Sequence, residues 1–233
     1  MPPLRHARGR CPLCTLRPRG TVRFPVFRLE GIVLFYRARL FIDFWNFTLA
    51  WNDRVSDNCD WTKLPAAVVS SCATVFERLG IRDPVQLEET HVYASIDPAR
   101  DAKLKQWLSN WLNRQPSFRV TVRERRARMF SVHCPTCGHD TTRCANCAES
   151  FKRAPEKGVD AAIVTDLLSL AWQGAYEVAV LVTSDADFIP AVDHVQEKGL
   201  KVINAGWRNH GHNLKKACWA DLELDQIAPS ILR

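Results

Sequence analysis

Residues 177–188 read EVAVLVTSDADF, from Glu177 to Phe188. The segment Val178–Val182 is wholly apolar, with β-branched Val at every other position. It is too short for a helix of its own and predicts a strand, Glu177–Thr183, buried on both faces. Strands of that kind belong to parallel sheets with helices on each side. The run then breaks into Ser184, Asp185 and Asp187. Ligands in such sheets gather beyond the carboxyl ends of the strands, so chemistry is sought where this strand stops.

The pattern continues in both directions. Downstream, a helix over Phe188–Lys198 ends at Gly199, and Leu200–Asn204 reads as a strand. The tail Leu214–Ile227 reads as helical. Upstream, Asp160–Trp172 is apolar on nearly all sides and predicts a central helix. Further back, Leu40–Phe44, Glu89–Ile96 and Phe118–Arg123 read as strands. Between them lie a helix starting near Asn46–Asn52, one over Leu64–Leu79 and an amphipathic one over Pro98–Asn113. In the last, Leu104, Trp107, Leu108, Trp111 and Leu112 fall at helical spacing, and the tryptophans read as core rather than as a base-stacking platform. Strands alternating with helices predict an α/β fold: a parallel sheet flanked by helices, with right-handed crossovers.

Composition narrows the function classes. With 46% hydrophobic and 24% charged residues in 233, the chain is neither disordered throughout nor fibrous. Its longest apolar run falls short of the ~18–20 residues that span a bilayer, which speaks against a membrane partner. The net charge of +7 is unevenly placed: residues 1–39 hold nine Arg and one acid, and the remainder is close to neutral. Residues 1–38 therefore read as a disordered basic arm rich in Arg and Pro, and residues 39–228 as the folded domain. An odd cysteine count with paired C-x-x-C spacing points to a reducing, cytoplasmic setting. Cys11 and Cys14 form a lone pair that lacks two ligands for a closed zinc site.

Four carboxylates interrupt or border apolar segments: Asp43, Asp160, Asp185 and Asp187. Unpaired charges are costly there, and several together repel. A hard cation such as Mg²⁺ or Mn²⁺ relieves that repulsion, because it takes carboxylate oxygens and waters. Local roles compete: Asp187 or Ser184 fits a helix N-cap, and Asp160 complements a helix dipole. Asp43 has no such evident role, since the end of a buried strand needs no carboxylate. Asp166 lies about 120° around the helix from Asp160 and is placed outside the cluster.

At these motifs the sequence resembles the NYN domains, a branch of the PIN-like nucleases. The resemblance rests on FIDFWNF (Phe41–Phe47), KGVD (Lys157–Asp160), TSDADF (Thr183–Phe188) and KGLKV (Lys198–Val202). It implies a parallel α/β fold and metal-dependent hydrolysis of RNA phosphodiesters, in single-stranded or structured RNA. It further implies catalytic roles for Asp43, Asn46, Asp160, Asp185 and Asp187, with the four aspartates holding Mg²⁺ or Mn²⁺. Asn46 and Ser184 would orient a ligand, water or phosphate, and Lys157 would contact the scissile phosphate.

Residues 128–156 depart from a minimal domain of that family. Cys134, Cys137, Cys144 and Cys147 form two C-x-x-C knuckles, enough for one closed, structural Zn²⁺ site in a zinc-ribbon insert. Phe130 and Phe151 flank it and suit a small core under the zinc. Residues 119–157 carry nine bases and four acids, so Arg125 and Arg126 are candidates to grip a phosphate backbone. Two other readings stay open: a catalytically silent RNA-binding or adaptor module, and a metal-dependent phosphatase. Neither RNA over DNA nor an oligomeric state follows from the pattern.

Overall fold

The computed structural model describes residues 35–126, 128–153 and 158–233. Of the basic arm expected over residues 1–38, residues 1–34 lie outside these, as do Cys11, Cys14 and Lys157, whereas Tyr36–Ala38 belong to the first strand and Ala38 is buried. Six parallel strands form the central sheet: β1 (Tyr36–Asp43), β2 (Val85–Ile96), β3 (Phe118–Glu124), then β8 (Val178–Val182), β9 (Lys201–Gly206) and β10 (Ala220–Glu223). Four two-residue strands, β4 (Arg128–Met129), β5 (Val132–His133), β6 (Asp140–Thr141) and β7 (Lys152–Arg153), pair as β4–β7 and β5–β6 outside that sheet.

The strand order is β10-β9-β8-β1-β2-β3. From β1 the chain builds outward through β2 to β3, then returns across the sheet to start again at β8 on the other flank of β1. Order therefore reverses between β1 and β8, which opens a crevice at their carboxyl ends. All five residues of β8 are buried, as its apolar run predicts.

One core lies on each sheet face. Leu40, Ile42, Val92 and Val180 face α1 (Phe44–Arg54) and α2 (Leu64–Arg78), with Phe44, Phe47, Leu64 and Val68 packed among them. Phe41, Tyr93, Ala179 and Leu181 face α4 (Val159–Trp172) and α5 (Ile189–Glu197), against Ile163, Leu167 and Val192. Alternate residues of each strand feed opposite cores, so a one-residue slip would exchange both.

Two expectations are corrected. The segment Pro98–Asn113 is not one regular helix: α3 (Ala102–Gln106) passes into a π-helical turn, Trp107–Trp111, and then a 3₁₀ turn, Leu112–Arg114. Leu108 and Leu112 remain fully buried, while Trp111 is 37% exposed and is not core. The tail is not one helix either. It splits into α6 (His212–Ala217), the edge strand β10 and α7 (Leu224–Ile227). Within β10 only Leu222 is buried, and what holds the strand is backbone pairing with β9. Ala220 and Leu222 do alternate with Asp221 and Glu223, but four residues are the shortest run in which that period reads as a strand.

Candidate active site

Asp43 closes β1 and is 8% exposed. Its Oδ1 accepts a hydrogen bond from the Asn46 backbone N–H at 3.2 Å, so it caps α1. The strand-end carboxylate thus has a local role that its position in the sequence did not suggest, because α1 begins at the next residue. Ile42 is the register partner of Val182, which brings Thr183–Asp185 alongside Asp43. The Ser184 N–H donates to Asn46 Oδ1 at 2.9 Å, tying the ends of β1 and β8 together. Asp185 Oδ1 accepts from the Asp187 N–H at 2.9 Å and caps the turn that opens α5. Asp185 takes the capping role proposed for Asp187 or Ser184, and the Asp187 side chain is exposed. Asp160 sits in the first turn of α4 and is exposed.

The walls of this crevice are built to hold the β8 end still. Buried Asn204 donates through Nδ2 to the carbonyls of Leu181 and Thr183. Gly211, at φ 64°, packs so closely that a Cβ there would lie 2.9 Å from Ser184 Cα. Conformation and space both demand glycine at that position. Its neighbour His210 contacts Arg54 of α1 through Nε2 at 2.6 Å, so the loop after β9 also reaches the end of α1.

Asp166, placed outside the carboxylate cluster from sequence, has a partner of its own. Tyr93, the register partner of Asp43, donates its hydroxyl to Asp166 Oδ2 at 2.8 Å. Burial, reinforced by that carboxylate, pushes the phenol far above its ordinary pKa. α4 packs against β2, which brings the Asp166 carboxylate to Tyr93.

Arg125 is also nearer than its place in the sequence suggests. Its Nε donates to Ser95 Oγ at 2.9 Å, and its guanidinium lies 5.3 Å from the ring centroid of Trp45, two residues after Asp43. Arg126 is exposed. Among the described residues, no three His, Cys, Asp or Glu side chains converge as a ready-made metal set. The carboxylates at the crevice are hard oxygen donors, and Mg²⁺ needs only one or two of them with water completing its shell, so the donor chemistry fits.

A family model for the NYN domain matches residues 37–223. The chain belongs to the NYN domain family. No curated protein matches it. Among solved structures, a protein of unknown function from Vibrio parahaemolyticus RIMD 2210633 is similar, at 17% identity and a TM-score of 0.52, covering 85% of this chain and 96% of that one. That likeness concerns the fold. A structure described as the basis for the mechanism and regulation of Sir2 enzymes aligns at 11% identity over 83% of this chain and 89% of that one, with a TM-score of 0.32.

The insert of this NYN domain holds two matching knuckles. Gly138 N–H donates to Cys134 O and Ala148 N–H to Cys144 O, at 2.8 and 2.9 Å. Gly138 and Ala148 follow the second cysteine of their pairs, and both have positive φ, 71° and 58°. Backbone N–H groups of Cys137 and Thr136 lower the Cys134 thiol pKa, and those of Cys147 and Asn146 lower that of Cys144. The described residues bring the cysteines together two by two, and no larger group forms. Phe130 and Phe151 pack on each other with ring centroids 5.8 Å apart.

Proposed function

We propose that this NYN domain is a metal-dependent ribonuclease. The observation that carries the reading is that Asp43 closes β1 and Asp185 follows β8, neighbouring strands whose ends are joined by the Asn46–Ser184 hydrogen bond. A switch-point crevice with two strand-end carboxylates suits a cation that bridges protein and phosphate. Asp43 and Asp185 would hold Mg²⁺ or Mn²⁺, with Asp160 and Asp187 acting directly or through water. When bound, the cation activates water and stabilises the phosphoryl transition state. Asn46 and Ser184 hold the two carboxylate-bearing segments in register, and Lys157 would meet the scissile phosphate. Arg125 and Arg126 would grip the RNA backbone. Cys134, Cys137, Cys144 and Cys147 would take one structural Zn²⁺, their lowered thiol pKa values favouring the thiolates that zinc needs. Reduced thiolates fit a cytoplasmic setting.

The test is incubation of the protein with end-labelled single-stranded RNA and DNA in Mn²⁺, Mg²⁺ or EDTA. Cleavage of RNA that needs the cation is expected. Binding without cleavage would make the protein an RNA-binding module, and cleavage that persists in EDTA would exclude a metal mechanism.

A further inference from the structure

A groove of about 510 Å³ lies against α1 between its second and third turns, the π-helical turn and the loop before α2. Trp61, Trp107 and Trp111 are among its lining residues. Trp107 and Trp111 are stacked, with centroids 5.5 Å apart and planes inclined by 21°. Trp61 meets Trp107 edge-on at 5.8 Å. Core tryptophans would be covered, but Trp111 ends the stack with 37% of its surface exposed. The π turn is what presents it. One wide turn shifts the helix face, so that Leu108 and Leu112 stay in the core while Trp111 faces the groove.

Polar groups border the aromatic wall. Asn52 and Asn58 line the groove, and neither side-chain amide is hydrogen-bonded to another described residue. Thr48, also on the lining, has a buried hydroxyl with no hydrogen-bond partner among the described residues. A partly exposed indole beside two amides offers stacking and edge hydrogen bonds together. That combination suits a flat heteroaromatic ring with donors and acceptors around its rim. Asn52 is on the same helix as Asn46, six residues further on, so the groove and the carboxylate crevice share α1.

We propose that this groove is a nucleobase pocket. A base stacks on Trp111, extending the Trp107–Trp111 pair, and the amides of Asn52 and Asn58 meet its edge. The proposal deepens the ribonuclease reading and rests on it for the source of the base, an unpaired nucleotide of the RNA. A free mononucleotide offers the same chemistry.

The test measures binding without added Mg²⁺ or Mn²⁺, so it reads the pocket whether or not the protein cleaves RNA. The probes are a fluorescein-labelled single-stranded RNA, an abasic strand of equal length and charge, and the mononucleotides AMP and UMP. The base-bearing strand should bind more tightly than the abasic one. Trp111→Ala should weaken that binding by about fivefold to a hundredfold, the range for one lost stacking contact, and erase the preference. Trp111→Phe should retain most of it. Should Trp111→Ala disturb the fold, Asn52→Ala with Asn58→Ala reads the same pocket. Mononucleotide binding that depends on Trp111, with strand binding that does not, would keep the pocket and assign it to free nucleotides. If neither probe depends on Trp111, or on the asparagine pair, the proposal is overturned.

Discussion

Asn46 Oδ1 accepts the Ser184 backbone N–H at 2.9 Å across 138 residues of sequence. The bond ties the FIDFWNF and TSDADF motifs together at the ends of β1 and β8, beside the strand register that brings Asp43 and Asp185 near each other. Asn46→Ala leaves a half-buried N–H without its acceptor, at a cost of about 1–3 kcal/mol. A lowered denaturation midpoint is expected, with a larger loss in kcat than in KM for RNA cleavage. A kcat equal to wild type would mean that the tie holds the fold and does not position the carboxylates.

Asp43 and Asp185 both cap helical turns, which dictates how they should be tested. Asparagine caps about as well as aspartate, so Asp43→Asn and Asp185→Asn remove charge and keep the cap. Each should fold normally and lose cleavage by about a thousandfold, near 4 kcal/mol of transition-state stabilisation. Asp43→Ala should lose roughly 1 kcal/mol of stability in addition. Activity that survives both asparagine variants removes these residues from catalysis.

The two cysteine knuckles share a turn but not its best residue. Gly138 takes the left-handed position freely, whereas Ala148 holds φ 58° at the equivalent place. Ala148→Gly should relieve up to about 1 kcal/mol of strain. Purified protein should carry one Zn²⁺ per chain, and the variant should resist chelator longer than wild type. Cys134→Ser should lower the zinc content and expose the insert to protease. Unchanged zinc after removing both Cys134 and Cys144 would sink the assignment.

Stability should also depend on pH through His91. The ring is 2% exposed and stacked on Phe41, and its Nε2 lies 2.8 Å from Glu89 and 3.1 Å from Arg39. Burial lowers its pKa from 6.5, outweighing the opposing pull of Glu89, while Arg39 adds to the lowering and Asp166 opposes it. The fold therefore favours neutral His91. Its contribution is complete above about pH 6.5, where the unfolded chain is also neutral, and is lost as pH falls below that toward the folded value. Urea midpoints at pH 7.5 and 5.5 should differ, and His91→Gln should narrow the difference. An equal drop in the variant would place the titration elsewhere.

The legible parts of this fold were those with a strong apolar signal. The five residues of β8 announced a doubly buried strand, and α4, apolar on most sides, announced a central helix. The carboxylates were legible because they break such runs. Contacts made by register and crossing were not: Tyr93 reaches Asp166 only because β2 lies beside β1 with α4 laid along them. The strand β10 was hidden because its alternation, Ala220 and Leu222 against Asp221 and Glu223, lasts only four residues inside a tail that otherwise reads as helix. Trp111 failed in the opposite sense, as helical spacing assumed a regular turn where the chain forms a π turn.

Arg125 and Arg126 are adjacent in sequence, yet the structure separates what each should do. Arg126 is exposed, and if it binds the RNA backbone it acts on ground state and transition state alike. Arg126→Ala should then raise KM with little change in kcat, and flatten the salt dependence of binding by a slope of about 0.7 on a single strand. Arg125 is held by Ser95 Oγ and lies over Trp45, whose indole N–H donates to the Ser95 carbonyl. Arg125→Ala removes a brace on the segment that carries Asp43, so it should lower kcat as well as raise KM. Arg125→Lys should restore less than half of the lost kcat, because a single ammonium cannot both lie over the indole and replace the Nε bond to Ser95. Equal kinetics in the two alanine variants would show that the contacts with Trp45 and Ser95 have no bearing on the reaction.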